Sequence, residues 1–377
     1  MLETGLTRRG FGLAGAALAA LAGAPARAAA PGLKPAPAVP RFGPDDGIAL
    51  LSRNENPFGP SPAALQAIRD TAAEGCWYAN RGLQLLTAII AESCGLTPEQ
   101  VVIGSGSTEV LSAIALAFAR AATTVCPELF WDATVRYGER LGGQVVRIPL
   151  KADMQVDLEA IAAAARAPGV AVVHLCNPNN PTGLLIPAAP LRAFARALPA
   201  EVILVVDEAY NELTDNPEAN SVLDLLREGR RVIITRTFSK IHGMAGLRVG
   251  YALMPAALAA EVRPLLMSFG GNTAGLAAAI GCFEDRAFLD ASRQAIGAAR
   301  AAIVEGARAL GIEALPSQTN FVYLKVPDAD QLQARLAARG IMIRGAYGKW
   351  KQWARVSTGR PEDVQRFVAA LPAAVAA

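Results

Sequence analysis

Residues 237–251 read Thr237-Phe238-Ser239-Lys240-Ile241-His242-Gly243-Met244-Ala245-Gly246-Leu247-Arg248-Val249-Gly250-Tyr251, directly after the β-branched run Val232 to Thr235. A lysine that leaves a strand among small and apolar residues is poorly hydrated. Its amine can then lose its proton more easily and act as a nucleophile. Ser239 and Arg248 add a hydroxyl and a guanidinium, two donor types that hold a phosphate. A lysine with an arginine eight residues on is by itself an ordinary solvated pair, so the reading rests on what surrounds it.

Working outward, three more segments end short strands. Val202-Ile-Leu-Val-Val206 runs into Asp207-Glu208-Ala209-Tyr210, which places a carboxylate at the edge of a sheet. Facing a pyridine nitrogen, that carboxylate would keep the nitrogen protonated and the ring electron-withdrawing. As a bland alternative, Asp207 caps a helix. Val170 to Leu175 leads into Asn177-Pro-Asn-Asn180-Pro181-Thr182-Gly183, a rigid turn that can present Asn180 to a ligand oxygen. Val101 to Ile103 leads into Gly104-Ser-Gly106-Ser107-Thr108-Glu109 and a helix to Arg120, whose N-terminal N–H groups would cradle a phosphate. A Gly/Ser turn is also an ordinary helix start.

Continuous apolar strands separated by helical patterns predict an α/β fold with a parallel sheet buried on both faces. Ligand sites in such sheets gather at the carboxyl ends of the strands, where all four segments lie. Helices are predicted over Pro62 to Thr71 and Gln84 to Cys94. From about residue 261 the pattern changes to a long helix, Asp285 to Leu310, followed by strand-like runs at 320–324, 340–344 and 355–357. This predicts a smaller α+β domain over 261–377, after a large domain over 51–260 and a Pro/Gly-rich arm over 29–50.

In this order and spacing the four segments resemble the class I/II aminotransferases of fold type I, which use pyridoxal 5′-phosphate, and most of all histidinol-phosphate aminotransferases. The likeness runs from Ser52 (SRNENPFGP) to Gly359 and is specific in its combination of NPNNPTG, DEAY and SKxxxxAGLRxG. It implies a mainly parallel seven-stranded sheet and a smaller C-terminal domain. It also makes Lys240 the Schiff-base lysine, puts Asp207 against the pyridine nitrogen, and sets Tyr210 and Asn180 on the ring's phenolic oxygen. Gly106, Ser107, Thr108, Ser239 and Arg248, with Thr237 nearby, would take the phosphate. Counting back from Gly142, Trp131 takes the place of the aromatic ring that stacks on the cofactor, with Phe130 next in line. Arg355, in ARVSTG, matches the arginine that holds the substrate carboxylate. Arg344 falls where relatives bind a distal phosphate, and Asn56 falls among the substrate contacts. Tyr78 matches a tyrosine that reaches the cofactor of a neighbouring subunit, which implies a homodimer, although the family's Tyr-Pro is Tyr78-Ala79 here.

The expected reaction moves an amino group between an amino acid and a 2-oxo acid in two half-reactions, with the Lys240 amine as general base. A decarboxylase or lyase on the same scaffold is the alternative, because the bond that lies perpendicular to the cofactor ring decides the outcome. An exported amino-acid-binding protein on a decayed scaffold is opposed by the intact Lys240, Asp207 and Arg355.

The 377 residues carry a net charge of +3, with 18% charged residues and no basic block, which excludes nucleic acid as a partner. Residues 1–28 contain Thr7-Arg8-Arg9-Gly10-Phe11, a short apolar run and Ala26-Arg27-Ala28. This pattern resembles a twin-arginine export signal and is too short to span a bilayer stably. Periplasmic residence follows if it is used. An exported enzyme would not meet a cytosolic histidine-pathway intermediate, so the substrate is left open. The five cysteines follow no metal pattern and are expected as buried thiols, and two histidines make a His-based metal site improbable.

Overall fold

The computed structural model describes residues 38–376. The expected export signal and the first part of the arm, residues 29–37, lie outside the described residues. Residues 38–45 are exposed and carry no helix or strand, and the described residues from 46 on form one compact unit.

The strands are β1 (Ala49–Leu50), β2 (Val101–Ser105), β3 (Thr123–Pro127), β4 (Gln144–Ile148), β5 (Val170–Cys176), β6 (Ile203–Asp207), β7 (Val232–Thr237), β8 (Val249–Leu253), β9 (Phe321–Lys325), β10 (Ile341–Met342) and β11 (Trp353–Ser357). Seven of them form one sheet in the order β2-β8-β7-β6-β5-β3-β4. Only β8 runs against its neighbours. The α/β class and the mainly parallel sheet are as the sequence predicts. Alternate residues of β6 explain the burial. Leu204 and Val206 enter one apolar cluster, while Ile203 and Val205 enter another on the opposite face. Such a strand has no wet side, which is why it reads as an unbroken apolar run.

The reversed strand matters for the site. Because β8 is antiparallel, its start lies beside the ends of β2 and β7, with Gly250 opposite both Gly104 and Thr237. Arg248 therefore joins the carboxyl edge even though it precedes a strand.

Local signals set the helix starts. Ser61 accepts from the Ala64 N–H and Pro62 opens the helix Pro62–Thr71. Asp285 accepts from Phe288 N at 3.1 Å and opens the long helix Arg286–Arg308.

The smaller C-terminal domain packs this long helix and the helices Ala329–Ala337 and Pro361–Ala376 against β9 and β11. Two details cut across the expected boundaries. Ala49 and Leu51, placed in or beside the arm, bury into the C-terminal core, where β1 pairs with β10. The helix Thr273–Cys282, placed beyond residue 260, packs into the large core through Leu276, Ala278, Ala279 and Cys282. Both shifts follow from apolar faces that sequence periodicity sees but cannot assign to a partner. Cys76 is exposed and the other four cysteines are buried. Among the described residues there is no His/Cys/Asp/Glu group that could hold a metal, and no helix is long and apolar enough to cross a membrane.

Candidate active site

The carboxyl ends of β2, β5, β6 and β7 open into a cavity of about 830 Å³ that also receives residues of the small domain. Its wall includes Ser107, Thr108, Trp131, Asn180, Asp207, Tyr210, Thr237, Ser239, Lys240, Arg248, Arg344 and Arg355. Twelve residues read from distant parts of the sequence therefore meet in one place.

At the inner end, Asp207 is buried and its Oδ1 accepts from the Thr235 hydroxyl at 2.9 Å. Burial pushes its carboxyl up to about 6, against the opposing effects of that bond, the Ala209 N–H and Lys240. A buried carboxylate of this kind calls for a cationic partner. The Lys240 amine donates to the Asn54 carbonyl at 3.2 Å and sits 5.5 Å from the centre of the Tyr210 ring. Burial first, and Arg355 next, lower it to about 8. The Tyr210 hydroxyl, raised by burial, accepts from Asn180 Nδ2 at 3.2 Å and from Asn54 Nδ2 at 3.1 Å.

A second group of donors lies at the start of the helix Gly106–Ile114, which has no side-chain cap at Ser105. Arg248 lies beside it, its Nη2 donating to the Ser105 carbonyl at 3.5 Å and its Nη1 to Ser239 Oγ at 3.4 Å, and the Thr237 hydroxyl donates to the same oxygen at 2.9 Å. Two glycines permit this closeness. A Cβ on Gly250 would lie 2.1 Å from Ser107 N, and one on Gly106 (φ +73°) would lie 2.1 Å from an Arg248 nitrogen. Gly106 thus does not line the cavity itself; it makes room for the guanidinium. Glu109 adds a tie, accepting from Ser105 N on one side and from Met267 N at 2.7 Å on the other.

The third part faces the small domain. Arg355 is buried, donating to Asn180 Oδ1 and to the Ser52 carbonyl at 2.7 Å each, and its Nε has no partner. Phe321 and Tyr347 lie 5.3 and 5.6 Å from the guanidinium. Arg344 is exposed at the rim over Tyr347, beside Trp350. Phe130 also lines the cavity, packed edge-on to His174.

Besides Gly106, two expected residues lie outside the cavity lining. Asn56 does not line the cavity. Its amide is engaged by Ile241 O at 2.7 Å, Ser292 Oγ at 3.1 Å and the Phe58 N–H, so it anchors the loop from behind. The asparagine of this loop that lines the cavity is Asn54, two residues back, to which the sequence reading assigns no role. Tyr78 is also absent from the cavity; it is exposed and stacked on Phe269 at 4.4 Å.

The donor set fits pyridoxal 5′-phosphate. An uncapped helix start with an arginine and two hydroxyls suits its phosphate, and an isolated buried carboxylate suits its pyridine nitrogen. A lysine amine with a lowered pKa suits its aldehyde. Fold and site together define a pyridoxal-phosphate enzyme of the α/β class. The sequence model of the family described as "Aminotransferase class I and II" matches residues 46–371, and the chain belongs to that family. It is 34% identical over 335 residues to histidinol-phosphate aminotransferase 1 of Dechloromonas aromatica, covering 88% of this chain and 91% of that one. It is 37% identical over 333 residues to histidinol-phosphate aminotransferase 2 of Methylococcus capsulatus, covering 86% and 89%. Among solved structures, histidinol-phosphate aminotransferase of Sinorhizobium meliloti in complex with pyridoxal-5′-phosphate aligns with a TM-score of 0.82 at 33% identity, covering 87% and 91%. The chain is a pyridoxal-phosphate-dependent aminotransferase that moves an amino group between an amino acid and a 2-oxo acid.

Proposed function

We propose that the substrate is an α-amino acid whose carboxylate docks on Arg355 and whose side chain extends toward Tyr347, Trp350 and Arg344. The observation that carries this reading is Arg355 itself, a buried guanidinium that lines the cavity with Lys240 and is held by two neutral oxygens, with no carboxylate paired to it among the described residues. A substrate carboxylate would neutralise that charge and fix the direction of the Cα–H bond. Arg344 makes no close ion pair among the described residues, Asp330 acting on it only at longer range while paired with Lys351, and it offers a site for an anionic tip. The relatives above are named for histidinol phosphate, which carries a phosphate ester where an amino acid has its carboxylate, so that compound belongs among the donors as the comparison for the anion that Arg355 takes.

In this reading Lys240, Asp207, Tyr210, Asn180, Ser107, Thr108, Thr237, Ser239 and Arg248 hold the cofactor, and Trp131 covers it. When bound, pyridoxal phosphate supplies an aldehyde that takes up the amino group and a ring that draws electrons from its carbon. Asp207 keeps a positive charge on the ring nitrogen. The Lys240 amine, lowered by burial to about 8 in the cofactor-free chain, is placed to take the proton from the substrate Cα and to deliver it to the carbon on the far side of the amino nitrogen. A decarboxylase would need the carboxylate, rather than the hydrogen, perpendicular to the ring, and Arg355 beside Asn180 opposes that placement. L-threonine-O-3-phosphate decarboxylase of Porphyromonas gingivalis shares the fold at 22% identity and a TM-score of 0.74, so the fold alone does not choose.

The working unit is proposed to be a homodimer in which Tyr78 reaches the partner's phosphate site. Trp77, Tyr78, Met267 and Phe269 are exposed, and a recess of about 410 Å³ lined by Thr108, Arg248 and Met267 lies beside the phosphate cradle. Export through the twin-arginine segment is the matching proposal for location. Fractionation of cells carrying the Arg8→Lys, Arg9→Lys variant is expected to find the protein only in the cytoplasm.

A screen of amino donors with 2-oxoglutarate tests the reaction. Formation of glutamate without CO₂ is expected, and Arg355→Ala is expected to raise KM for the donor by at least about tenfold, the loss of a charged hydrogen bond. Release of CO₂, or an unchanged KM, would sink the assignment.

A further inference from the structure

Asn54 has no assigned role, yet it is 2% exposed and every polar atom it carries is engaged. Its N–H donates to Ser357 Oγ at 2.9 Å, and the Ser357 hydroxyl donates back to Asn54 Oδ1 at 2.6 Å. Its carbonyl accepts from Lys240 Nζ and from Asn320 Nδ2 at 2.8 Å. Its backbone is left-handed, φ +57°, a conformation asparagine tolerates better than most residues.

The amide orientation is fixed by these partners. Ser357 Oγ receives the Asn54 N–H, and among the described residues its own proton has no acceptor other than Oδ1, which turns Nδ2 toward Tyr210. Asn180 is oriented the same way, because Arg355 can only donate and therefore claims Asn180 Oδ1. A tyrosine hydroxyl has one proton and two lone pairs. Both lone pairs of Tyr210 are taken, by Asn54 and by Asn180. Its proton is left for a third acceptor, and two donors on the oxygen polarise the O–H bond that remains.

We propose that Asn54 is a positioning residue that commits the Tyr210 hydroxyl to donate toward the cofactor's phenolic oxygen. This rests on the reading of Tyr210 given above. Arg355, Cys176, Asp207 and Lys240 also face that hydroxyl or its ring, so the test must isolate the Asn54 contribution. A donor on the phenolic oxygen favours its deprotonated form. The visible absorbance of the lysine-linked cofactor then changes at a lower pH than it would without that donor.

The experiment titrates the absorbance of the holoenzyme against pH. Asn54→Gly keeps the left-handed backbone and removes the amide. Its midpoint is expected to rise by roughly half a pH unit to one pH unit, the size of one hydrogen bond. Tyr210→Phe is expected to raise the midpoint further, and adding Asn54→Gly to it should change nothing more. Where the glycine variant is not recovered folded, Asn54→Asp serves. It keeps the acceptor for Ser357 and replaces the donor with a carboxylate oxygen that competes for the Tyr210 proton. Its effect in the Tyr210→Phe background is subtracted as plain charge. An unmoved midpoint, or an equal rise with and without Tyr210, overturns the role of Asn54 alone. A midpoint that ignores Tyr210→Phe overturns the reading of Tyr210 and this proposal with it.

Discussion

Asp207 holds its proton up to about pH 6 in the cofactor-free protein, whereas an unfolded aspartate releases it near roughly pH 3.9. The folded chain therefore binds the proton more tightly, and this group's contribution to stability is present at low pH and lost as pH rises through 6. A protonated pyridine nitrogen opposite the carboxylate reverses that loss. The increase in Tm on adding pyridoxal phosphate should accordingly grow between pH 5 and pH 7, and Asp207→Asn should abolish the growth. An equal increase at both pH values in the unmodified protein would contradict the pairing. Lys240, Asp207, Asn180 and Arg248 were legible in the sequence because each sits at one end of a short apolar run, and the rule for sheet edges then brings them together. Asn54 was not legible. Its partners lie 156 to 303 residues away, and nothing local distinguishes it from Asn56, whose amide faces the other way.

Between elements, the contact that sets the phosphate cradle is the approach of β8 to the helix Gly106–Ile114. Gly250→Ala would place a methyl 2.1 Å from Ser107 N, against backbone that cannot turn aside. The variant is expected to lose about 1–3 kcal/mol of stability, as overpacked sites do, and to bind pyridoxal phosphate at least about tenfold more weakly. Thermal unfolding and cofactor titration check the two parts separately. Unaltered cofactor affinity would show that this approach does not shape the cradle. The central strands β5, β6 and β7 were read nearly to the residue because burial on both faces leaves an unbroken apolar run. β4 was missed because its pattern is half exposed. β8 was hidden because its residues belong to a motif read for chemistry, and its reversed direction is a property of pairing that no single segment carries.

For the whole molecule, the exposed aromatic surface is the feature a lone chain does not explain. Tyr78 and Phe269 stack on each other yet stay 74% and 63% exposed, next to Trp77 and Met267. Contiguous apolar patches of this kind mark interaction sites. If this patch closes the proposed dimer, Phe269→Glu is expected to sediment as a monomer where the unmodified protein sediments as a dimer, and to weaken cofactor binding about tenfold or more, because Tyr78 would no longer reach the partner's phosphate. A variant that sediments unchanged and binds the cofactor normally would remove the shared-site proposal while leaving the chemistry of each chain intact.

The covalent attachment of the cofactor is the claim on which the chemistry depends, and it can be read directly. Reduction of the loaded protein with borohydride, followed by proteolysis and mass mapping, should place the pyridoxyl group on the peptide containing Lys240 and leave Lys240→Ala unlabelled. Label on Lys151, Lys325, Lys349 or Lys351 in place of Lys240, or no label in the unmodified protein, would contradict the account.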